Sequence, residues 1–517
     1  MAIIDELTLL PDRELAMKCQ QMTADCESVQ RGVLAEILQA VKDTEIGREK
    51  GFAGMESAED YRAQMPLTTW DDYEAYSERQ KRGEENITFV GRAQGFTISS
   101  GTTSVRAKYI PVSPMQAKEL SLVERMRMVR YFMAEPRIAE GKVMPLVNTP
   151  ESETTEAGIP VGNASGMAMM RAGMAEKIAF PMSVFMIKDD EERDYQMMLS
   201  AIGHRDVSVV AGNNAGRLTS LIRMAQRRRD DLTDDIAKRD PERAAELRQM
   251  ADFTPREYWK ELRMGLFWTS ASVGKYVEEL RPLLPADTKM MDVGYGASEG
   301  KFNIPLMPGQ SSGVLSVATA FYEFIPEGGG EPLMAHEVEA GKNYELVITT
   351  WGGLYRYNMQ DIVRVTGFAG TTPMIEFQYK SIEVLNMVDE KLPASVVCNL
   401  IREYYARRGT VIRQIQIYQN AGERRYDIYI EPVEPGMEQG EATDQAIDDL
   451  LAANFQAYEL FKNNMHLLNR LHIMEVRQGW QESLYRQAVR KPGMTNSQVK
   501  LSLIASSSHE EFTVHKP

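Results

Sequence analysis

Three cysteines in 517 residues, Cys19, Cys26 and Cys398, form no CxxC pair, and their number is odd. A disulfide framework is therefore not what organises this chain, and a reducing, cytoplasmic setting is the expectation. Six histidines, His204, His336, His466, His472, His509 and His515, make no HxH or HExxH cluster, which leaves a zinc site without support. Basic residues are in deficit: 59 Lys and Arg stand against 74 Asp and Glu, a formal net charge of −15. That balance argues against affinity for nucleic acid or for an anionic membrane surface. No uninterrupted apolar run approaches the roughly 18 residues of a membrane span. The opening "MAIIDELTLLPDREL" carries acids where a signal peptide needs lysine or arginine.

What remains is the composition of a soluble globular protein: 43% hydrophobic, 26% charged, with no low-complexity tract and no internal repeat. The length predicts two or three domains. The first 75 residues show apolar spacing of helical period, and residues 115–133 form another helical segment. Residues 223–250 are dense in both charges and read as a solvated helix pair broken near Pro241. From 265 onward, stretches such as "GLFWTSAS" and "NYELVITTWGGLYRYNMQDIVRVTGF" alternate strands with glycine turns, a mixed α/β core. Beyond 386 a smaller α+β unit is expected. It holds a hairpin around Asn-Ala-Gly in "VIRQIQIYQNAGERRYDIYIEP", a helical stretch over 442–465, a strand near 470–477 and a last helix near 480–490.

Four stretches draw attention to chemistry. "FTISSGTTSVRAKYIPVSP" packs Ser99, Ser100, Gly101, Thr102, Thr103 and Ser104 into one loop, with Lys108 just beyond. Such a cluster is either a surface turn or an anion cradle, in which backbone N–H groups and hydroxyls wrap phosphate oxygens. It lacks the Gly-Lys-Ser/Thr of a P-loop. "YGASEG" sets Tyr295, Gly296, Ser298 and Glu299 side by side; a strand end with an exposed glutamate is the plain alternative. "GLYRYNMQDIVRVTGF" places Asp361 before an apolar strand, where aspartate often serves only the turn. "RKPGMTNSQVKLSLI" presents Lys500 beyond a loop with Gly and Asn, a position that solvated lysines commonly occupy.

Taken in this order, the set resembles the adenylate-forming superfamily of acyl-CoA ligases, peptide-synthetase adenylation domains and luciferases. It is most similar to the acyl acid amido synthetases of the auxin-responsive-promoter (GH-three) family. The matching residues are Ser99 to Thr103 with Lys108, then Tyr295, Ser298 and Glu299, then Phe321 to Pro326. Gly353 to Tyr357, Asp361, Val365 to Phe368, Gln498 and Lys500 complete the set. The likeness runs from about residue 60 to about 505. It departs from the family at Val105 and Ala107, where glycine and proline are usual, and at Gln360, where glycine is usual.

The resemblance implies an α/β fold: a large N-terminal mixed domain over 1–386 that binds ATP and acid, and a C-terminal α+β lid over 387–517. It implies a two-step ligase reaction that uses ATP and Mg²⁺, with a small carboxylic acid and an amino acid as substrates. Ser99, Ser100, Gly101, Thr102 and Thr103 would cradle the phosphates, while Lys108 either joins them or supports the loop. Tyr295 would lie against the adenine and Ser298 at the α-phosphate, with Gly296 also among the nucleotide-binding residues. Glu299 would hold Mg²⁺, Asp361 would accept the ribose hydroxyls, and Lys391 matches a hinge-side lysine that contacts nucleotide. Lys500 would be catalytic in adenylation. Arg127 either pairs with the acid's carboxylate or is solvated. Two alternatives stay open: an acyl-CoA ligase working through the same adenylate, and an inactive nucleotide-binding regulatory protein. The acid, the amine and the oligomeric state are not legible.

Overall fold

The computed structural model describes residues 2–99, 108–146, 151–162, 175–270, 274–381, 383–388, 390–489 and 501–514. These divide into two compact units, one ending at Gln378 and the other beginning at Tyr379.

The first unit opens with helices, as the apolar spacing predicts. Cys26–Val41 is the longest of the early ones. Asp25 caps it by accepting from the Ser28 N–H, and Gln30, Val33, Leu34, Ile37, Leu38 and Val41 bury one face. Beside a small mixed sheet of Lys108–Val112, Gly95–Ser99, Pro160–Gly162 and Glu151–Thr154, the unit holds two sheets of different logic. The strands Lys142–Leu146, Val207–Gly212, Met264–Phe267 and Lys289–Asp292 pair in that order, all parallel. Parallel pairing needs long crossovers, and helices such as Asp190–Gly203 and Ala215–Arg227 supply them. Strands covered on both faces are continuously apolar: all four residues of Met264–Phe267 are buried. The second sheet has seven strands in which every recorded pairing is antiparallel. Its centre is the long strand β3 (Tyr357–Ala369), and it packs on Phe52, Tyr61, Trp70 and Trp351.

The charged 223–250 region forms helices Ala215–Arg227, Arg229–Ala237 and Pro241–Arg248, the last capped by Asp240 with Pro241 in its first turn. It is less solvated than its charge suggests. Arg243 is buried and donates to the carbonyls of Ile202 and Tyr258.

The second unit centres on the hairpin Ile412–Asn420 and Arg425–Pro432. Short parallel strands flank it, His472–Glu475 on one side and Ile504–Ala505 on the other. Helices Ala394–Ala406 and Glu441–Asn454 contribute Ile401, Tyr405, Ile447 and Leu451 to its core. No helix among the described residues is long and apolar enough to cross a membrane.

Candidate active site

The hydroxyl-rich loop joins two strands that pair in antiparallel register, β1 (Gly95–Ser99) and β2 (Lys108–Val112). Ser99 and Lys108 stand directly opposite one another at the end of that ladder. Ser100, Gly101, Thr102 and Thr103 lie outside the described residues, as does Lys500. Directly after β2 comes helix α1 (Pro114–Ala134), started by Ser113, whose hydroxyl accepts from the Gln116 N–H and donates to the Trp351 carbonyl at 2.6 Å.

β1 and α1 together grip the segment that carries Tyr295 to Gly300. From β1, Thr97 Oγ1 donates to the Ser298 carbonyl at 2.9 Å, and Ser298 Oγ donates back to the Ile98 carbonyl at 3.2 Å. From α1, Gln116 Nε2 donates to the Glu299 carbonyl at 2.9 Å. Three turns further along the same helix face, the Arg127 guanidinium donates to the carbonyls of Tyr295 (3.0 Å) and Asn303 (2.7 and 3.0 Å). Arg127 is 1% exposed, so the expected solvated arginine is corrected. With these donors committed to backbone carbonyls, the side chain braces the motif segment, which is not the substrate-carboxylate role expected of it. Asn303 adds a second brace by accepting from the Tyr295 N–H at 2.7 Å.

Glycines make the close approach possible. Gly294 has φ +83°, and a Cβ there would fall 2.5 Å from Arg127 Nη2. At Gly296 a Cβ would meet the Lys301 side chain at 2.9 Å, because the segment turns back on itself through a bridge between Gly296 and Lys301. Asp292 closes the turn from below, accepting from Thr269 N and Oγ1 and from Gly294 N. Burial raises its pKa above the usual carboxylate range.

Asp361 and Tyr295 meet in the interior. The Tyr295 hydroxyl donates to Asp361 Oδ2 at 2.6 Å, and both residues are 3% exposed. Burial first, then the Asp361 charge, push the Tyr295 pKa well above its ordinary value, so the phenol stays a donor. Its ring lies between Phe302, with centroids 5.0 Å apart, and Phe377, at 5.5 Å. Packing covers the ring on these sides, and its hydroxyl holds the aspartate.

Gln360, immediately before Asp361, has φ +54°. This is the left-handed region where glycine is at ease, so the backbone retains the conformation that the family's usual glycine would favour. Asn358 Oδ1 accepts from the Gln360 N–H at 2.8 Å and helps to hold it. Arg356, also at positive φ (+46°), makes a buried bidentate pair with Glu323, both contacts at 2.9 Å. That pair locks the "GLYRY" stretch to "FYEFIP".

Glu299 is buried, and its Oε1 lies 3.5 Å from the Tyr357 hydroxyl. The Lys108 ammonium reaches the same hydroxyl at 3.4 Å. Lys108, Tyr295, Gly296, Ser298, Glu299, Asp361 and Arg127 are thus brought into one region of the first unit. Lys391 belongs to the second unit, exposed and at φ +45°. Sequence reasoning missed Gln116, Asp292, Gly294, Asn303, the Arg356–Glu323 pair and any role for Tyr357. The only signal for these last residues was their place inside quoted motifs.

Among the described residues no group of three or more His, Cys, Asp or Glu side chains could hold a metal ion. A single buried carboxylate, Glu299, suits Mg²⁺ of the kind that arrives with a polyphosphate, since that ion keeps waters and takes one or two protein carboxylates plus phosphate oxygens.

A family model described as the GH3 family N-terminal domain matches residues 15–289, and one described as the GH3 family central domain matches residues 313–380. Relatives include the jasmonoyl–L-amino acid synthetase JAR6 of Nicotiana attenuata, 25% identical over 434 residues, 72% of this chain and 72% of that protein. The probable indole-3-acetic acid-amido synthetase GH3.1 of Arabidopsis thaliana is 25% identical over 420 residues, 73% of this chain and 70% of that one. Among solved structures, the AtGH3.15 acyl acid amido synthetase in complex with 2,4-DB matches with TM-score 0.84 at 17% identity, over 98% of this chain and 97% of that chain. At that identity the likeness speaks for the fold.

Proposed function

Because the chain belongs to the GH3 family of acyl acid amido synthetases, we propose that it activates a small carboxylic acid with ATP and joins it to an amino acid. In the first step a carboxylate oxygen attacks the α-phosphorus of ATP. The bond from that phosphorus to the oxygen bridging toward the β-phosphate breaks, and pyrophosphate leaves with the bond's electrons. In the second step the neutral amine attacks the acyl carbon, AMP departs, and the amine's proton is lost to give the amide.

The observation that carries this reading is the convergence of Lys108, Ser298, Glu299 and Asp361 in one unit of a chain that two family models match. Phosphoryl transfer asks the protein mainly to position reactants and to hold charge. Glu299 is the residue we assign to Mg²⁺, which when bound offsets the charge of the triphosphate. Asp361 is assigned to the ribose hydroxyls, with Tyr295 fixing its carboxylate through the 2.6 Å bond. Lys108 supplies positive charge at the root of the phosphate loop, where Ser99 to Thr103 provide hydroxyls and N–H groups. Lys391, Lys500 and a lid role for residues 387–517 complete the proposal by resemblance alone. A reducing, cytoplasmic setting, expected from the composition, belongs to the same proposal.

The test is a panel of carboxylic acids assayed for ATP-dependent pyrophosphate release, with amino acids or coenzyme A as second substrate. Amide plus AMP is the expected outcome. Thioester with coenzyme A, and amide with no amino acid, would sink the proposal in favour of an acyl-CoA ligase.

A further inference from the structure

We propose that Lys301 and Glu124 are specificity residues for the acyl acid, a charged pair that receives a hydroxyl carried on the acid's chain or ring. The inference rests on the function proposed above and names the class of acid.

Lys301 stands at the base of the motif turn. The Ala297 N–H donates to the Gly300 carbonyl at 2.9 Å, and Gly296 and Lys301 bridge on either side of it. Ser298 and Glu299 are therefore at the tip. The Lys301 stem folds over Gly296, where a Cβ would fall 2.9 Å from its Cδ. Its ammonium reaches Glu124 Oε1 on α1 at 3.1 Å. Glu124 lies one turn before Arg127 and 3.5 Å from its guanidinium. Gln116 and Arg127 are buried against the turn, but the side chains of Lys301 and Glu124 keep 18% and 32% of their surface exposed. The pair is thus the accessible part of an otherwise buried contact between α1 and the turn.

In-line displacement fixes where the acid comes from. Pyrophosphate leaves the α-phosphorus toward the loop assigned to the phosphates, after β1, so the acid enters from the opposite side. β1 holds the turn at Ser298, and α1 holds it at Tyr295 and Glu299. The side left to the acid is the one that α1 borders, and there its chain meets Glu124 and Lys301. An ammonium has only donors and a carboxylate only acceptors. A hydroxyl answers both at once: it accepts from Lys301 and donates to Glu124. An apolar chain would cover both charges without replacing their water, and a second carboxylate would face Glu124.

The experiment is pyrophosphate release by the full chain with acids matched in length. One series is hexanoate, 6-hydroxyhexanoate and adipate; the other is benzoate, 4-hydroxybenzoate and terephthalate. The wild type should favour the hydroxy acid of at least one series by about tenfold or more in kcat/KM. Lys301→Met should abolish that preference, and Lys301→Arg should keep most of it. Glu124→Gln leaves the ammonium without its counter-charge, so the dicarboxylate should gain at least about fivefold on the hydroxy acid. Ratios between acids within one variant are insensitive to how much of it is folded, and Glu124→Gln carries the test if Lys301→Met does not fold. A wild type with no preference, or one for the unsubstituted acids or the dicarboxylates, overturns the inference. So does a preference unchanged in both Lys301→Met and Glu124→Gln, or an equal loss with every acid, which would mark a merely structural clasp. A wild type with no acid-dependent pyrophosphate release, here or in the wider panel, sinks the proposed function itself, an outcome distinct from these.

Discussion

Replacing Arg127 by methionine separates a brace from a substrate ligand. The guanidinium is buried and serves two carbonyl oxygens, those of Tyr295 and Asn303, with the Glu124 carboxylate 3.5 Å away. Hydrogen bonds from a charged donor are worth about 1.5–3 kcal/mol each. Two acceptors left behind would cost roughly 3–6 kcal/mol, but the variant no longer has to bury a guanidinium, which returns several kcal/mol. The Tyr295 carbonyl also keeps the Phe302 N–H at 3.0 Å. A net loss of up to about 3 kcal/mol in the first unit is the result to expect.

Because the chain has two units, a single unfolding curve would mix two transitions. Hydrogen exchange read on peptides covering residues 290–305 reports the relevant one. The loss should propagate through Tyr295 to Asp361 and weaken binding of an ATP analogue. The KM of any acid that supports pyrophosphate release should stay within about twofold. Unchanged exchange together with a large rise in the acid's KM would refute the argument and return Arg127 to the substrate's carboxylate. Gly294→Ala is an independent route to the same lesion. It places a methyl group 2.5 Å from the guanidinium at a residue with φ +83°, so it should weaken the same peptides without touching any charge.

Other outcomes follow from the site. Asp361→Ala should raise the ATP requirement at least about tenfold with the fold intact, since hydrogen bonds from the ribose to a charged acceptor are lost; an unchanged ATP dependence would leave Asp361 a turn residue. Glu299→Gln should collapse pyrophosphate release and blunt its response to added Mg²⁺, and equal metal dependence in the variant would remove Glu299 from the site. Gln360→Gly should stabilise the first unit by about 1 kcal/mol in denaturant titration, by relieving the positive φ; a loss of stability would show that the glutamine is not strained. In the second unit, His472 Nδ1 lies 2.9 Å from Asp444 Oδ2, and this hydrogen bond holds the histidine's pKa above its ordinary value. Its contribution should be complete below the ordinary histidine pKa and disappear as pH rises through the elevated folded value. His472→Gln should therefore flatten that part of the stability–pH curve.

The elements that were legible are those governed by local periodicity. The early helices, the break at Pro241 and the hairpin at 412–432 stand where apolar spacing and turn residues put them. The division of labour between a parallel sheet and an antiparallel one was not separable, since both read simply as strands between glycine turns. The motif residues of the first unit were found by their order along the chain, and the structure draws those described there into one region. Their immediate supports were not found, because a side chain that donates to a carbonyl leaves no mark on the pattern of residue types. Arg127, 168 residues before Tyr295, is such a case.

Gln360 shows how a departure from the family's pattern can leave the site's shape in place. A glutamine where glycine is usual suggests a reshaped turn before Asp361. The backbone nevertheless sits at φ +54°, with Asn358 accepting from its N–H. The conformation survives because the elements around it over-determine it: the Arg356–Glu323 pair on one side, β3 and its neighbours on the other. The opposite case is Glu119. It lies on α1 between Gln116 and Arg127, which both hold the motif segment, yet its Oε2 is buried without a hydrogen-bond partner among the described residues. Burial pushes its pKa well above the carboxylate range, which favours the neutral acid. In the sequence, Gln360 looks like a defect and Glu119 like an ordinary helical acid. In three dimensions the first costs only the modest strain of its positive φ, outweighed by its neighbours, and the second carries the larger cost of a buried carboxyl, so conformation and burial, more than residue type, decide where strain lies.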